Sequence, residues 1–335
     1  MNLIPKPKLT ILTDPIPYGT WLFPQIARIL ARTIRNWIRP PKNNHGNYRG
    51  HSAVTRSLIE GLKKIGVPHN YNPYSVCELA DTVVVLAGVR TLRQAIELKK
   101  RGQIKKLFAG PNIVVFSSDA ESIVASSEVD VVITPCEWVI DVYLEDNPSL
   151  QGRCIAWPAG VDTDFWAPNA SIKRDRILVL DKRLEQDDPD RVKPYVEYLQ
   201  SQGWQVDVLV RCGAQGYMQD EYRNFLRKSC LMLGFTVGSE SQDIAWAEAW
   251  SMDVPTLILR QTENYNSGRK YKCSTAPYLQ SENGLFFDDL ENFKAVFTSW
   301  QSNRQKFSAR AWTLANMSDE ICAEKLYRHL LLEAS

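Results

Sequence analysis

Short apolar runs alternate with longer amphipathic stretches along most of the chain. The apolar runs predict buried strands, and they cover residues 9–12, 82–87, 106–116, 129–134, 177–180, 206–210, 230–237 and 256–259. Between them, apolar positions three and four residues apart predict helices over 52–65, 91–101, 137–144 and 190–202. This alternation is typical of an α/β protein whose sheets are parallel and doubly wound.

A polar turn after the apolar run 230–237 carries two acidic residues of interest. We expect Glu240 to begin a helix and Glu248, eight positions later, to lie on the same helical face. The turn is placed at the carboxyl edge of the predicted sheet, where open α/β folds bind their ligands. Two glutamates at this spacing are also typical of a solvated helix face, so the spacing alone does not identify a site.

A second motif precedes this turn by about eighty residues. Residues 158–168 read Pro-Ala-Gly-Val-Asp-Thr-Asp-Phe-Trp-Ala-Pro. Together and in this order, the two motifs resemble those of retaining GT-B glycosyltransferases that use nucleotide sugars. The resemblance implies two facing Rossmann-like domains with a cleft between them. It also implies that Glu240 lies by the donor sugar and Glu248 near the nucleotide ribose.

The same resemblance suggests a domain organisation for the 335 residues. Residues 1–160 would form the acceptor-side domain, 161–174 a linker and 175–307 the nucleotide-sugar-binding domain. Residues 308–335 would form a C-terminal helix that crosses back to the first domain. The polar, basic segment 260–272 is expected to be a mobile loop.

Further donor-site residues follow from the resemblance. Lys182 and Arg183 end the predicted strand 177–180 and match a basic pair that holds the donor diphosphate in the family. Arg211 ends the next strand and is assigned to donor binding. The family usually has Gly-Phe-Gly after the first glutamate, whereas this chain has Ser241, Gln242 and Asp243. We therefore expect these three side chains to contact the donor and to alter its identity or orientation.

A glycine-containing segment follows the first predicted strand after an insertion of about thirty residues. Gly46, Asn47, Arg49 and Gly50 form a loop ahead of a predicted helix, an arrangement that lets the backbone approach a phosphate or sugar. An ordinary turn is an equal alternative. The insertion contains an amphipathic basic helix over residues 21–40, which predicts either a peripheral contact with an anionic membrane or a helix packed on the core.

The composition excludes several other classes of protein. Lys and Arg number 40 against 38 Asp and Glu, and a net charge of +2 does not indicate a nucleic-acid partner. The seven scattered cysteines contain no Cys-x-x-Cys pair, which predicts reduced thiols and a cytoplasmic protein, peripheral at the inner membrane face if 21–40 binds lipid. No apolar stretch reaches the roughly 18 residues that a membrane span needs.

These observations predict transfer of a sugar from a UDP- or GDP-linked donor to a carbohydrate or lipid-linked acceptor, with retention. Asp188 and Asp190 have the spacing of a metal-binding Asp-x-Asp motif, but Pro189 between them is typical of a helix start. We therefore expect neither a metal nor a cofactor. Two alternatives stay open: a catalytically silent nucleotide-sugar-binding scaffold, and a sugar-nucleotide epimerase that needs no acceptor.

Overall fold

The computed structural model describes residues 7–16, 51–212, 218–242 and 244–332. The chain divides into two compact units, one of residues 1–157 with 323–335 and the other of residues 158–322. The segment 158–174 therefore belongs to the second unit.

The described part of the first unit contains one parallel sheet. Its strands are β1 (Leu9–Leu12), β2 (His69–Tyr71), β3 (Thr82–Ala87), β4 (Lys106–Asn112), β5 (Val131–Thr134) and β6 (Cys154–Ala156). Its helices of ten or more residues are α1 (His51–Lys64), α2 (Val89–Lys100) and α3 (Glu137–Asp146). The strand order is β2-β1-β3-β4-β5-β6, so the chain changes its direction of travel across the sheet between β1 and β3.

The second unit repeats this plan. Its strands are β7 (Arg176–Arg183), β8 (Gln205–Cys212), β9 (Ser229–Phe235), β10 (Thr256–Leu259), β11 (Glu263–Asn266), β12 (Arg269–Lys272) and β13 (Gly284–Phe287). Its helices are α4 (Lys193–Ser201), α5 (Gln219–Lys228), α6 (Ile244–Ser251), α7 (Leu290–Ser302) and α8 (Ala309–Asn316), and α9 (Asp319–Leu332) continues into the first unit. The parallel sheet has the order β13-β10-β9-β7-β8, while β11 and β12 form an antiparallel hairpin. The prediction of a doubly wound α/β chain is confirmed.

Both faces of the second sheet are covered by apolar side chains, as its apolar strands require. Leu178 and Leu180 of β7 face a cluster that contains Trp246. Ile177 and Val179 face the opposite cluster, which contains Phe293. Because strand side chains alternate between faces, the following residues of β7 alternate as well. This alternation places Lys182 on one face of the sheet and its neighbours Asp181 and Arg183 on the other.

The motif at 158–168 is explained by close backbone packing. A Cβ atom on Gly160 would lie 2.6 Å from the Cα of Asp319, so only glycine fits. The Asp162 carboxylate accepts hydrogen bonds from the amides of Asp164 and Phe165, at 3.1 and 3.0 Å, and closes the next turn. Trp166 is buried in the second unit. The motif thus joins the start of this unit to the start of α9.

Three local predictions were wrong. The helix after β9 begins at Ile244, so Glu240 lies in the preceding loop and does not share a helical face with Glu248. The segment 260–272 is largely a hairpin, because Ser267 and Gly268 both adopt positive φ and make a two-residue turn that suits β11 and β12. Helix α4 begins at Lys193, several residues after Pro189.

Within the described ranges, every helix is too short or too polar to cross a membrane.

Candidate functional site

The candidate site lies at the carboxyl ends of β7 and β9. These neighbouring parallel strands flank the point where the chain reverses its direction across the second sheet. In open α/β sheets the loops leave such a point in opposite directions, which opens a crevice for a ligand. Lys182 lies at the end of β7, and Glu240 lies in the loop after β9.

Lys182 and Glu240 form an ion pair in this crevice. The Lys182 Nζ atom lies 2.7 Å from Glu240 Oε1. The lysine side chain is only 9% exposed and the glutamate side chain 25% exposed. Because solvent screens this pair less than a surface pair, it presents a well-defined cation and anion at the sheet edge.

The Trp246 ring lies against the side chain of Lys182. The Lys182 ammonium lies 4.4 Å from the centre of the Trp246 ring, within the range of a cation–π contact. The indole Nε1 donates a hydrogen bond to the carbonyl of Thr275 at 2.9 Å, which fixes the ring orientation. Gly234 in β9 leaves room for the ring. The contact is therefore built from β7, β9 and α6 together.

The Glu240 backbone is held from another direction. Its amide donates to the carbonyl of Ser274 at 2.9 Å, just beyond the hairpin. Gly238, two residues earlier, has a φ of +77°, a conformation that side chains other than glycine rarely adopt. The loop therefore has a defined path from β9 to the carboxylate.

Arg191 organises the opposite face of β7, and the sequence patterns did not identify it. Its guanidinium donates to the Asp181 carboxylate at 2.6 and 2.8 Å, to the carbonyl of Lys182, and to the carbonyl of Thr236 at 3.3 Å. It thus joins the ends of β7 and β9. The available signal was Asp181 itself, since an acid within an apolar strand requires a buried partner.

Arg183 and Lys182 have different contacts in the structure. They occupy successive strand positions and so start on opposite faces of the sheet. Arg183 donates to the carbonyl of Pro189 at 2.7 Å and lies 3.7 Å from Asp181. Arg211 is the register partner of Lys182 on β8, and it is exposed.

The side-chain amide of Gln242 uses its oxygen in a hydrogen bond but not its nitrogen. Its Oε1 accepts a hydrogen bond from the Ala159 amide at 3.1 Å. Its Nε2 is buried and has no hydrogen-bond partner among the described residues. A buried amide without a partner is costly, so this group is available to a ligand. Ser241 is half-buried beside it, and Asp243 lies outside the described residues.

Glu248 is buried on α6, with 6% of the residue exposed. It is two positions after Trp246, which at about 100° per residue places it on a different helical face from the ring under Lys182. The structure therefore brings Lys182 and Glu240 together and sets Glu248 on another side of the helix. A carboxylate this deeply buried needs polar partners.

Most of the acceptor-side residues predicted from the sequence lie outside the part of the chain that the structure describes. Gly46, Asn47, Arg49 and Gly50, together with the segment 21–40, lie outside the described residues. In the described part of the first unit, the Asp119 carboxylate follows the apolar region 106–116 and accepts hydrogen bonds from the amides of Val115 and Phe116, at 3.2 and 2.8 Å. These bonds give Asp119 a local role in closing its turn.

Solved structures are similar to the chain over nearly its whole length. A glycosyltransferase from Rickettsia africae ESF-5 aligns with a TM-score of 0.54 at 10% identity, over 98% of this chain and 99% of that one. Anabaena HepE in complex with UDP gives 0.52 at 12% identity, over 96% and 98%. The lipopolysaccharide outer core galactosyltransferase WaaB, in its apo form, gives 0.52 at 14% identity, over 98% and 100%. No protein-family model and no curated protein matches the sequence. At these identities the likeness shows the fold, and the chain has the GT-B fold.

Proposed function

We propose that the chain is a glycosyltransferase that transfers a sugar from a nucleoside-diphosphate sugar to a carbohydrate or lipid-linked acceptor. The observation that carries this proposal is the Lys182–Glu240 pair at the switch point of the second sheet. It supplies a cation for a diphosphate and a carboxylate for sugar hydroxyls within 2.7 Å of each other. Two proteins of similar fold support the same class of reaction: HepE was solved with UDP, and WaaB is a galactosyltransferase.

Lys182 has the main chemical role in this proposal. The bond between the anomeric carbon and the diphosphate oxygen breaks, so negative charge grows on the leaving diphosphate. A new bond forms between the acceptor oxygen and the anomeric carbon, and the proton of the acceptor hydroxyl passes to the leaving diphosphate or to water. A nearly buried ammonium stabilises the growing charge more than one in water would, because its surroundings do not need to reorganise. We expect no metal to be needed, and retention of configuration is proposed from the family resemblance.

Glu240 would position the donor sugar and would exchange part of its contact with Lys182 for sugar hydroxyls when the donor binds. Gln242 would donate its unpartnered amide group to the donor, and Glu248 would bind the ribose. Arg211 and Arg183 would add positive potential near the diphosphate.

The first unit is proposed to hold the acceptor through Gly46, Asn47, Arg49 and Gly50. Residues 21–40 are proposed to contact an anionic membrane. Deletion of 21–40 should then reduce cosedimentation with anionic liposomes, and unchanged binding would remove this part of the proposal.

A thermal-shift screen with UDP, GDP and their sugar conjugates tests the proposal. A ligand at one hundred times its dissociation constant should add about 2.7 kcal/mol of stability. We expect one nucleoside diphosphate to raise the Tm equally with and without EDTA. Lys182→Met should lose most of this shift, while the exposed-residue variant Tyr265→Ala should keep it. If neither nucleotide family shifts the wild-type Tm, the proposed donor site is wrong.

A silent binding protein is the second candidate, and one contact favours it. The family's glycines after the first glutamate are replaced, and Gln242 is bonded to the Ala159 backbone. Nucleotide binding without release of sugar from any donor, with or without acceptor, would favour this candidate. Isomerisation of the donor sugar without an acceptor would favour the epimerase.

A further inference from the structure

The hairpin of β11 and β12 lies against the loop that carries Glu240. It leaves the sheet after β10, at the same carboxyl edge as β7 and β9. Its base is closed by a hydrogen bond of 2.9 Å from the Cys273 amide to the carbonyl of Thr262. The nearby Ser274 carbonyl then accepts the Glu240 amide. The Glu240 loop is therefore hydrogen-bonded to the segment that directly follows the hairpin.

Asn264 makes the central contact between them. Its Nδ2 group donates to Ser239 Oγ at 3.2 Å and to the Tyr271 hydroxyl at 2.9 Å. Its Oδ1 accepts the amide of Tyr265 at 2.8 Å. The Ser239 and Tyr271 hydroxyls lie 3.1 Å apart, so the three polar groups form a closed network. Both donor hydrogens of the Asn264 amide are used, and its oxygen accepts one hydrogen bond.

The Asn264 side chain also covers Gly238. A Cβ atom at Gly238 would lie 2.4 to 2.6 Å from the Nδ2, Cγ and Oδ1 atoms of Asn264, so the amide plane lies flat over the glycine. The positive φ of Gly238 and the planar amide above it are thus complementary. Glu240 lies two residues after Gly238, and its Oε1 atom lies 2.7 Å from the Lys182 Nζ atom.

We propose that Asn264 is a positioning residue that clamps the Gly238–Ser239 turn and so fixes the Glu240 carboxylate against Lys182. The effect of Asn264 on catalysis rests on the proposed donor site, whereas its contact with the Gly238–Ser239 turn does not depend on that proposal. The contact explains why a hairpin inserted after β10 packs on this loop. It also explains the glycine at 238, where any side chain would displace the amide.

Two measurements separate the clamp from the proposed function. Hydrogen–deuterium exchange of the amides of 238–240 reports the clamp directly and needs no ligand. In Asn264→Ala we expect these amides to exchange about tenfold faster, because the hydrogen bonds that join Asn264 to the Ser239 and Tyr271 hydroxyls are lost. Tyr265→Ala, a neighbouring change at an exposed side chain, should leave them unchanged. Equal exchange in Asn264→Ala and wild type would overturn the inference.

The functional consequence is read from kinetics. In Asn264→Ala, kcat for release of nucleoside diphosphate from the donor should fall about tenfold, because a misplaced carboxylate loses transition-state contacts. The Kd for UDP or GDP, whichever stabilises the wild type, should change less than about twofold. Asn264→Asp should restore kcat, since the Ser239 and Tyr271 hydroxyls can donate to its carboxylate. A parallel loss of affinity, kcat and Tm that Asp does not restore would indicate a merely structural residue. A wild type without binding or turnover would overturn the proposed function, and exchange would still decide on the clamp.

Discussion

Gly234 leaves the space that the Trp246 indole occupies. A Cβ atom at position 234 would lie 2.8 Å from the Cη2 atom of the ring and 3.0 Å from Cζ3. The ring is fully buried and tied to Thr275, so it has little freedom to withdraw. The position of Lys182 over the ring therefore depends on a missing side chain in the neighbouring strand.

Gly234→Ala should destabilise the protein and disturb the site together. We expect a loss of about 2 kcal/mol in the free energy of unfolding from overpacking, measured by urea denaturation. Trp246→Phe should relieve the clash, so the double variant should be more stable than the sum of the single effects predicts. Simple additivity would contradict the proposed contact.

Separate substitutions of Lys182 and Glu240 should have opposite effects on affinity for a bare nucleoside diphosphate. Lys182→Met keeps an apolar stem on Trp246 but removes the charge, so Kd measured by calorimetry should rise about tenfold or more. Glu240→Gln removes the competing anion, so Kd should hold or fall, while kcat drops about a hundredfold. Loss of affinity in both variants would show that the pair acts only as a structural unit.

Glu248→Gln tests whether this carboxylate binds the ribose. Removing the charge while keeping the shape should weaken binding of the nucleoside diphosphate about tenfold, because ribose hydroxyls lose a charged acceptor. Binding of inorganic pyrophosphate, which has no ribose, should be unchanged. Equal weakening for both ligands would place Glu248 in the support of the fold rather than in ribose recognition.

Arg191→Ala should cost far more stability than Arg183→Ala. Asp181 is fully buried and accepts two hydrogen bonds from Arg191, so removing Arg191 takes both bonds from a buried carboxylate, at a cost of about 3 kcal/mol. Arg183 lies 3.7 Å from the same carboxylate, beyond hydrogen-bonding distance, and donates to a backbone carbonyl, so its loss should cost about 1 kcal/mol, the net worth of one hydrogen bond. Urea denaturation of the two variants would decide, and equal losses would refute the ranking.

Cys273 at the base of the hairpin should resist alkylation near neutral pH. Burial, with a smaller contribution from Glu263, raises the pKa of its thiol to about 11. A raised thiol pKa favours the neutral form, so at pH 8 the reactive thiolate is roughly 200-fold scarcer than for a thiol of pKa about 8.5. The rate of iodoacetamide labelling, followed by mass spectrometry, should rise about tenfold per pH unit between pH 8 and 9.5.

The exposed Cys77 provides a reference for access of the reagent in the same experiment. In denaturing urea, Cys273 should react as an ordinary cysteine. Labelling of folded Cys273 at pH 8 at the denatured rate would contradict the effect of burial.

The sequence by itself determined the elements and their class. Apolar runs predicted most strands because a buried parallel strand must be apolar on both faces. The motifs at 158–168 and 237–250 indicated the GT-B fold, and the apolar run 177–180 placed Lys182 at the end of a strand. These features depend on residues close together in the chain, where periodicity and turn chemistry act.

Only the tertiary structure decided which residues meet. Lys182 and Glu240 are 58 positions apart, and they pair because β7 lies directly beside β9 in the sheet. The same strand order brings Arg191 to Thr236. Strand order depends on long-range packing, which no local pattern records. Glu240 likewise lies in a loop ahead of α6, where its amide donates a hydrogen bond to Ser274, a residue 34 positions later in the chain.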